Sequence, residues 1–181
     1  MLSFRKCEML GAVLCFSFLF GCGGTVKYDD ASLNKIRQNL KYYDVVVREY
    51  KIAPEAGEAD GVLAECRAGT IDFLREKKVF RSVGKDMAGT DANTTLFVDA
   101  RIKDYRIVSG AARFWVGAWA GSSYMVLDVK LTNAATGAVV VQKTIDSHAD
   151  AMGSAWTGGG TDRSLPRDVG GIIGEYVLDN M

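Results

Sequence analysis

The sequence predicts an α+β fold: a two-layer α/β sandwich in which a mostly antiparallel sheet of about five strands carries two helices on one face. Three observations predict it. Leu96, Val98, Ala100 and Ile102 alternate with Asp99, Arg101 and Lys103, and Met125, Leu127, Val129 and Leu131 stand opposite Asp128, Lys130 and Thr132, as in half-buried strands. Two segments, about Glu58 to Lys78 and Pro166 to Asn180, instead repeat their apolar residues at helical spacing. The order of these patterns is strand, helix, short strand, three longer strands joined by hairpin links, and a closing helix.

Taken in order, residues 22–41 are a polar stretch expected to act as a tether. Within it Leu33, Ile36 and Leu40 fall at the spacing of a short docked helix. Tyr42 to Ile52 (YYDVVVREYKI) is dense in β-branched and aromatic residues and reads as a strand ended by Pro54 and Gly57. The helix that follows sets Val62, Cys66, Gly69, Phe73 and Lys77 on one stripe, with Leu63, Thr70 and Leu74 beside it and Asp60 as a candidate cap. Val79 to Val83 reads as a short strand, and residues 84–94 are turn chemistry. The alternation from Leu96 slips near Asp104, which predicts a bulge. Asn133 to Gly137 (NAATG) predicts a hairpin turn into a strand over Ala138 to Ser147. In the closing helix Val169, Ile172, Ile173, Tyr176 and Val177 share a stripe, with Pro166 suited to the first turn and Asp168 to its positive end.

The first residues explain where this fold works. Arg5 and Lys6 precede a twelve-residue uncharged apolar run, Met9 to Phe20. A bilayer-spanning helix needs about 20 apolar residues, so this run is a signal peptide in form rather than an anchor. It ends Leu19-Phe20-Gly21-Cys22, which resembles the lipobox of bacterial lipoproteins, although Phe20 is bulkier than the usual residue there. The resemblance implies cleavage between Gly21 and Cys22 and a diacylglycerol on the Cys22 thiol, the one side chain there with a nucleophilic sulfur. A plain secretory peptide, or a buried apolar segment, is the competing reading. Gly23 rather than Asp after the cysteine implies, by the same resemblance, sorting to the outer membrane with the domain facing the periplasm. The chain then divides into a signal peptide (1–21), a lipidated tether (22–41) and a single α/β envelope domain (42–181).

Composition narrows the function classes. Lys and Arg number 22, and Asp and Glu 22; loss of residues 1–21 leaves 20 basic and 21 acidic residues. A net charge near −1 carries no overall electrostatic footprint for nucleic acid or for anionic membranes. Of Cys7, Cys15, Cys22 and Cys66, only Cys66 remains within the domain, so no internal disulfide forms there. His148 is the single histidine, which excludes a zinc site of several His or Cys ligands in one chain. No nucleophile elbow, metalloprotease helix motif or phosphate loop is present. No catalytic residue, metal ligand or cofactor is therefore assigned. Asp99, Asp104 and Asp128 are candidates for a carboxylate site on one sheet face, against the simpler reading of solvent-face charges. Ser147 and His148, adjacent on a strand, point to opposite faces and make no catalytic pair.

The most unusual stretch is Ser109 to Tyr124 (SGAARFWVGAWAGSSY), in which Phe114, Trp115 and Trp119 interleave with Gly110, Gly117 and Gly121, and Arg113 is the one charge. A second cluster, GSAWTGGG, surrounds Trp156. Large aromatic faces are typical interface anchors, which makes Arg113, Phe114, Trp115, Trp119 and Trp156 candidate contacts for an envelope partner or a lipid. The alternative, and the commoner fate of aromatic residues, is that they cap the core.

The opening strand, the Phe80-Arg-Ser-Val83 after the helix, the Gly110-Ala-Ala-Arg113 … Gly117 … Ala120-Gly121 segment and the NAATG hairpin together resemble an uncharacterised bacterial lipoprotein family, domain of unknown function 4410. The resemblance spans about Tyr42 to Val177. It implies a small α/β sandwich like the N-terminal domain of TolB and supplies no activity. The expectation is a membrane-tethered, non-enzymatic binding or scaffolding module. A subunit of a homo-oligomeric envelope assembly and a hydrolase using the Asp cluster are the alternatives.

Overall fold

A computed structural model describes residues 28–56, 60–149 and 160–181. The Asp44–Val47 run of β-branched residues forms β1, fully buried, and Lys51–Ile52 forms β2. The expected single strand is thus broken at Arg48–Tyr50. Val47 pairs with Val98 but Lys51 with Arg101, so this side carries one extra residue. The break has a cause: Tyr50 turns inward, 3% exposed, and its hydroxyl donates to Thr70 Oγ1 at 2.8 Å.

Helix α2 (Asp60–Lys77) follows, then β3 (Ser82–Gly84), β4 (Thr95–Arg106), α3 (Gly110–Val116), β5 (Tyr124–Asn133), β6 (Val139–His148) and α4 (Gly160–Asp179). A first helix, α1 (Asp30–Gln38), precedes them; Asp29 caps it by accepting from Ser32 N–H at 2.8 Å, and Leu33 enters the core. The sheet order is β3-β1-β4-β5-β6, with β2 beside β4. The short ladders β1–β3, β1–β4 and β2–β4 are parallel, and the two long ones, β4–β5 and β5–β6, are antiparallel. The sheet is therefore mixed, with six strands. The bulge expected near Asp104 is present, between Ile102 and Asp104.

Leu96, Val98, Ala100 and Ile102 of β4 and Met125, Leu127, Val129 and Leu131 of β5 face one layer, where they meet Cys66, Leu74, Val169, Ile173 and Val177 of α2 and α4. The two helices touch through glycine: a Cβ on Gly69 would lie 2.2 Å from Arg167 O, and one on Gly170 2.1 Å from Cys66 O. Gly69 opposite Arg167 and Phe73 opposite Gly174 make the helices parallel.

One expectation is corrected. Pro166 does not open the last helix, which begins at Gly160 and holds Pro166 in its interior. Tertiary contacts outweigh the proline there: Asp162 and Leu165 are buried, and Asp162 accepts from Ser123 Oγ.

These registers give the molecule two ends. At one, the base, β1, β3 and β4 begin and β5 finishes. At the other, the tip, β4 ends at Arg106, β5 begins at Tyr124 and β6 ends at His148. α4 starts at the tip beside Ser123 and finishes at the base, where Tyr28 donates to Asp179 Oδ1 at 2.6 Å.

Candidate functional site

The connection from β4 to β5 leaves the tip of the sheet, and it contains the glycine-aromatic segment. The sequence pattern assigns this segment no regular structure, yet it folds as α3 followed by a 3-10 turn at Gly117–Ala120. Ser109 starts the helix by accepting from Ala112 N–H at 3.2 Å. Gly117 (φ 61°) ends it and Gly121 (φ 84°) reverses the chain, conformations that a side chain would strain.

The neck of this excursion is buried and polar. Ser123 Oγ accepts from Val108 N–H at 2.8 Å and donates to Asp162 Oδ1 at 2.5 Å, while Ser123 O accepts from Ala149 N–H at 2.8 Å. One serine therefore ties together both ends of the excursion, the end of β6 and the start of α4. Arg106 Nη2 adds a bond to Ala120 O at 3.1 Å, with its guanidinium packed 3.5 Å from the Cβ position of Gly121.

Above that neck the aromatic residues stand in solvent. Phe114 is 79% exposed, Trp115 81% and Trp119 93%, with Val116 half exposed beside them. Phe114 and Trp115 meet edge to face with centroids 5.2 Å apart. The alternative in which these rings cap the core does not hold for these three. Arg113 lies in α3 with its side chain outside the described residues, as are Gly21, Cys22 and Trp156 entirely.

The carboxylates are arranged differently. Among the described residues no helix covers the sheet face opposite α2 and α4, which carries a groove of about 370 Å³ lined in part by Arg48, Asp99, Arg101, Asp128, Lys130 and Gln142. Asp99 is held in a two-pronged pair by Arg48, whose guanidinium also lies 4.5 Å over the Phe97 ring. Asp128 accepts from Thr144 Oγ1 at 2.6 Å and pairs with Lys103 at 3.1 Å. The Thr144 bond, then Lys103, holds the Asp128 carboxyl below the usual range. Asp104 instead accepts from Tyr124 OH, 3.0 Å away. Each of the three has its own structural partner. Among the described residues no three His, Cys, Asp or Glu side chains gather closely enough to hold a metal ion. His148, at the end of β6, contacts Asp146 at 3.0 Å in solvent. Cys66 is fully buried, and burial pushes its thiol up to about 12, so it is no nucleophile.

Sequence comparison places these elements in a family. The model of the family described as a domain of unknown function, DUF4410, matches residues 33–153 of the 181. The chain belongs to the DUF4410 family. The DUF4410 match runs from α1 to just past β6, and so contains the tip and most of its neck. No curated protein matches the sequence. Among solved structures, the PelC dodecamer from Paraburkholderia phytofirmans is similar at 12% identity and a TM-score of 0.51, over 74% of this chain and 86% of that one. A Xanthomonas campestris protein of the DUF330 family gives 9% identity and a TM-score of 0.49, over 77% and 85%. At such identities the PelC likeness shows a shared fold. Among the described residues no helix is long and apolar enough to cross a membrane.

Proposed function

We propose that this DUF4410 protein is a lipid-anchored envelope protein that works by binding, not by catalysis, and that Phe114, Trp115 and Trp119 are its contact surface. The observation that supports this reading most is the exposure of three large rings above a buried, hydrogen-bonded neck. Exposed aromatic area is costly in water, and a neck that fixes its direction removes part of the ordering cost of association. The anchor is Cys22, with the outer membrane as its destination by the residue that follows it. The partner is a second envelope protein with an apolar pocket for the rings. Crosslinking in cells tests this: the intact protein, purified from membranes, captures a specific envelope protein, and the Trp115→Ala/Trp119→Ala variant loses it. Equal capture by that variant contradicts the reading.

A second reading, self-assembly, is favoured by one observation. β6 is a ten-residue strand paired, among the described residues, with β5 alone, so its outer edge offers unpaired backbone groups to another copy. The fold is shared with PelC, which is a dodecamer. Native mass of the purified protein separates the two: a stable closed oligomer supports self-assembly, and a monomer leaves the partner reading.

A further inference from the structure

Although the chain is neutral overall, its charges are not evenly placed. The two connections that build one flank of the base, residues 35–43 and 75–81, contain seven basic residues and one acidic residue, Glu76. The fold brings them together. Arg37 of α1 donates to the carbonyls of Lys77 and Lys78 at the end of α2, both at 3.1 Å. Arg81 N–H donates to Tyr43 O, which sets Arg81 beside the Lys41–Tyr43 turn. Arg37, Lys41, Lys78 and Arg81 are exposed, and Tyr43 among them is 46% exposed. Glu76 and Glu175 face Lys77, and Asp91 and the buried Asp44 face Arg81, so the flank keeps a smaller positive excess, carried at its exposed surface by Arg37, Lys41 and Lys78. Asp29, Asp30 and Asp179 belong to the opposite flank, where α1 starts and α4 ends.

The chain enters the fold at this same end. Tyr28 is pinned against Glu175 O at 3.2 Å and Asp179, and Cys22 lies six residues before it. Six residues reach at most about 20 Å. A lipid on Cys22 therefore keeps the base close to the bilayer surface. The ten strand pairs from Leu96 to Arg106, within a β4 of about 40 Å, separate the base from the tip.

We infer that the basic flank of the base docks on the headgroups of an anionic phospholipid bilayer, so that the molecule stands on its anchoring membrane with the aromatic tip pointing away from it. This rests on the lipidated-Cys22 reading and adds an orientation to it. Basic side chains beside an aromatic ring are the chemistry of an anionic lipid interface, and each cation near such a surface strengthens attachment roughly fivefold. A lipid alone leaves the orientation free; a charged flank at the same end of the molecule selects one.

The test uses the lipidated full-length protein with a fluorophore on a Gln38→Cys variant, Gln38 being exposed on α1. It is reconstituted in phosphatidylcholine vesicles with or without phosphatidylglycerol, and with spin-labelled lipid as quencher. With phosphatidylglycerol the fluorophore is expected to be quenched at least threefold more than without it. That gain is expected to vanish in about 0.5 M salt or in the Lys41→Glu/Lys78→Glu variant, while the emission of Trp115 and Trp119, read in a Trp156→Phe background, stays unquenched. Lipid quenching of the tryptophans, or a fluorophore indifferent to phosphatidylglycerol, overturns the inference. Failure to float with phosphatidylcholine vesicles counts against the lipid anchor instead. The flank then stands if the protein floats with phosphatidylglycerol vesicles in a salt-sensitive way, and falls if it floats with neither.

Discussion

Trp119 keeps 93% of its surface in water, so its replacement removes almost no packing. Phe114→Ala, Trp115→Ala and Trp119→Ala are each expected to change unfolding free energy by no more than about 0.5 kcal/mol while abolishing partner capture; a large loss of stability in denaturant titration would show that the rings pack after all. Asp44 behaves in the opposite way. It is fully buried, and Arg81, then Ser82 at 2.8 Å, holds its carboxyl below the ordinary range against the opposing effect of burial. A depressed folded value means that its stabilisation is fully present above the unfolded value of about 4 and is lost as pH falls through the folded one. Thermal melts from pH 7 to pH 2 are expected to show acid destabilisation below about pH 4 that is shallower in Asp44→Asn. An unchanged acid slope in that variant would count against the pair. Asp44 is polar in a run of valines, and nothing in the sequence pattern marks its partner thirty-seven positions away.

At the scale of elements, the sheet was readable and the neck was not. Alternation marks β4 and β5 because one face of each meets the helices and the other is polar, so the residue pattern copies the environment directly, whereas β6 buries only Ile145 and leaves Val139 exposed. The start of α4 has no such local cause, because Gly160 and Pro166 argue against helix there, and in Gly110–Val116 the surrounding glycines hide a Ser109 cap and an Ala-Ala-Arg run. What holds them is tertiary, the Ser123–Asp162 bond and its neighbours. Ser123→Ala leaves Asp162 and the Val108 N–H without this partner, an expected loss of about 1–3 kcal/mol. Limited proteolysis within residues 110–121 should quicken with it; unchanged cleavage would mean that the neck does not restrain the tip. The helix pair makes a sharper prediction. Gly170 sits where a methyl group would meet the Cys66 carbonyl, so Gly170→Ala should cost about 1–3 kcal/mol despite alanine's better helix propensity. A stabilised Gly170→Ala variant in thermal melts would show that the helices pack less tightly than this.

At the scale of the whole molecule, the fold turns a neutral chain into one with two unlike ends. A basic flank shares the base with the entering tether, and an aromatic tip whose segment carries the single charge Arg113 stands at the far end of the long hairpin. Composition alone hides this. The net charge excludes any overall electrostatic footprint, yet the cations of residues 35–43 and 75–81 meet only because α1 crosses the end of α2. The candidate rings were legible as a cluster in the sequence, but their exposure was not, since the same residue types also fill cores. The most direct test of the central claim places a photo-crosslinking amino acid at position 115, at 119, and at the exposed Val139 of the opposite end as a control. The account predicts the same envelope-protein adduct from 115 and 119 in living cells and none from 139. No adduct at the tip, or the same adducts from all three positions, would contradict it.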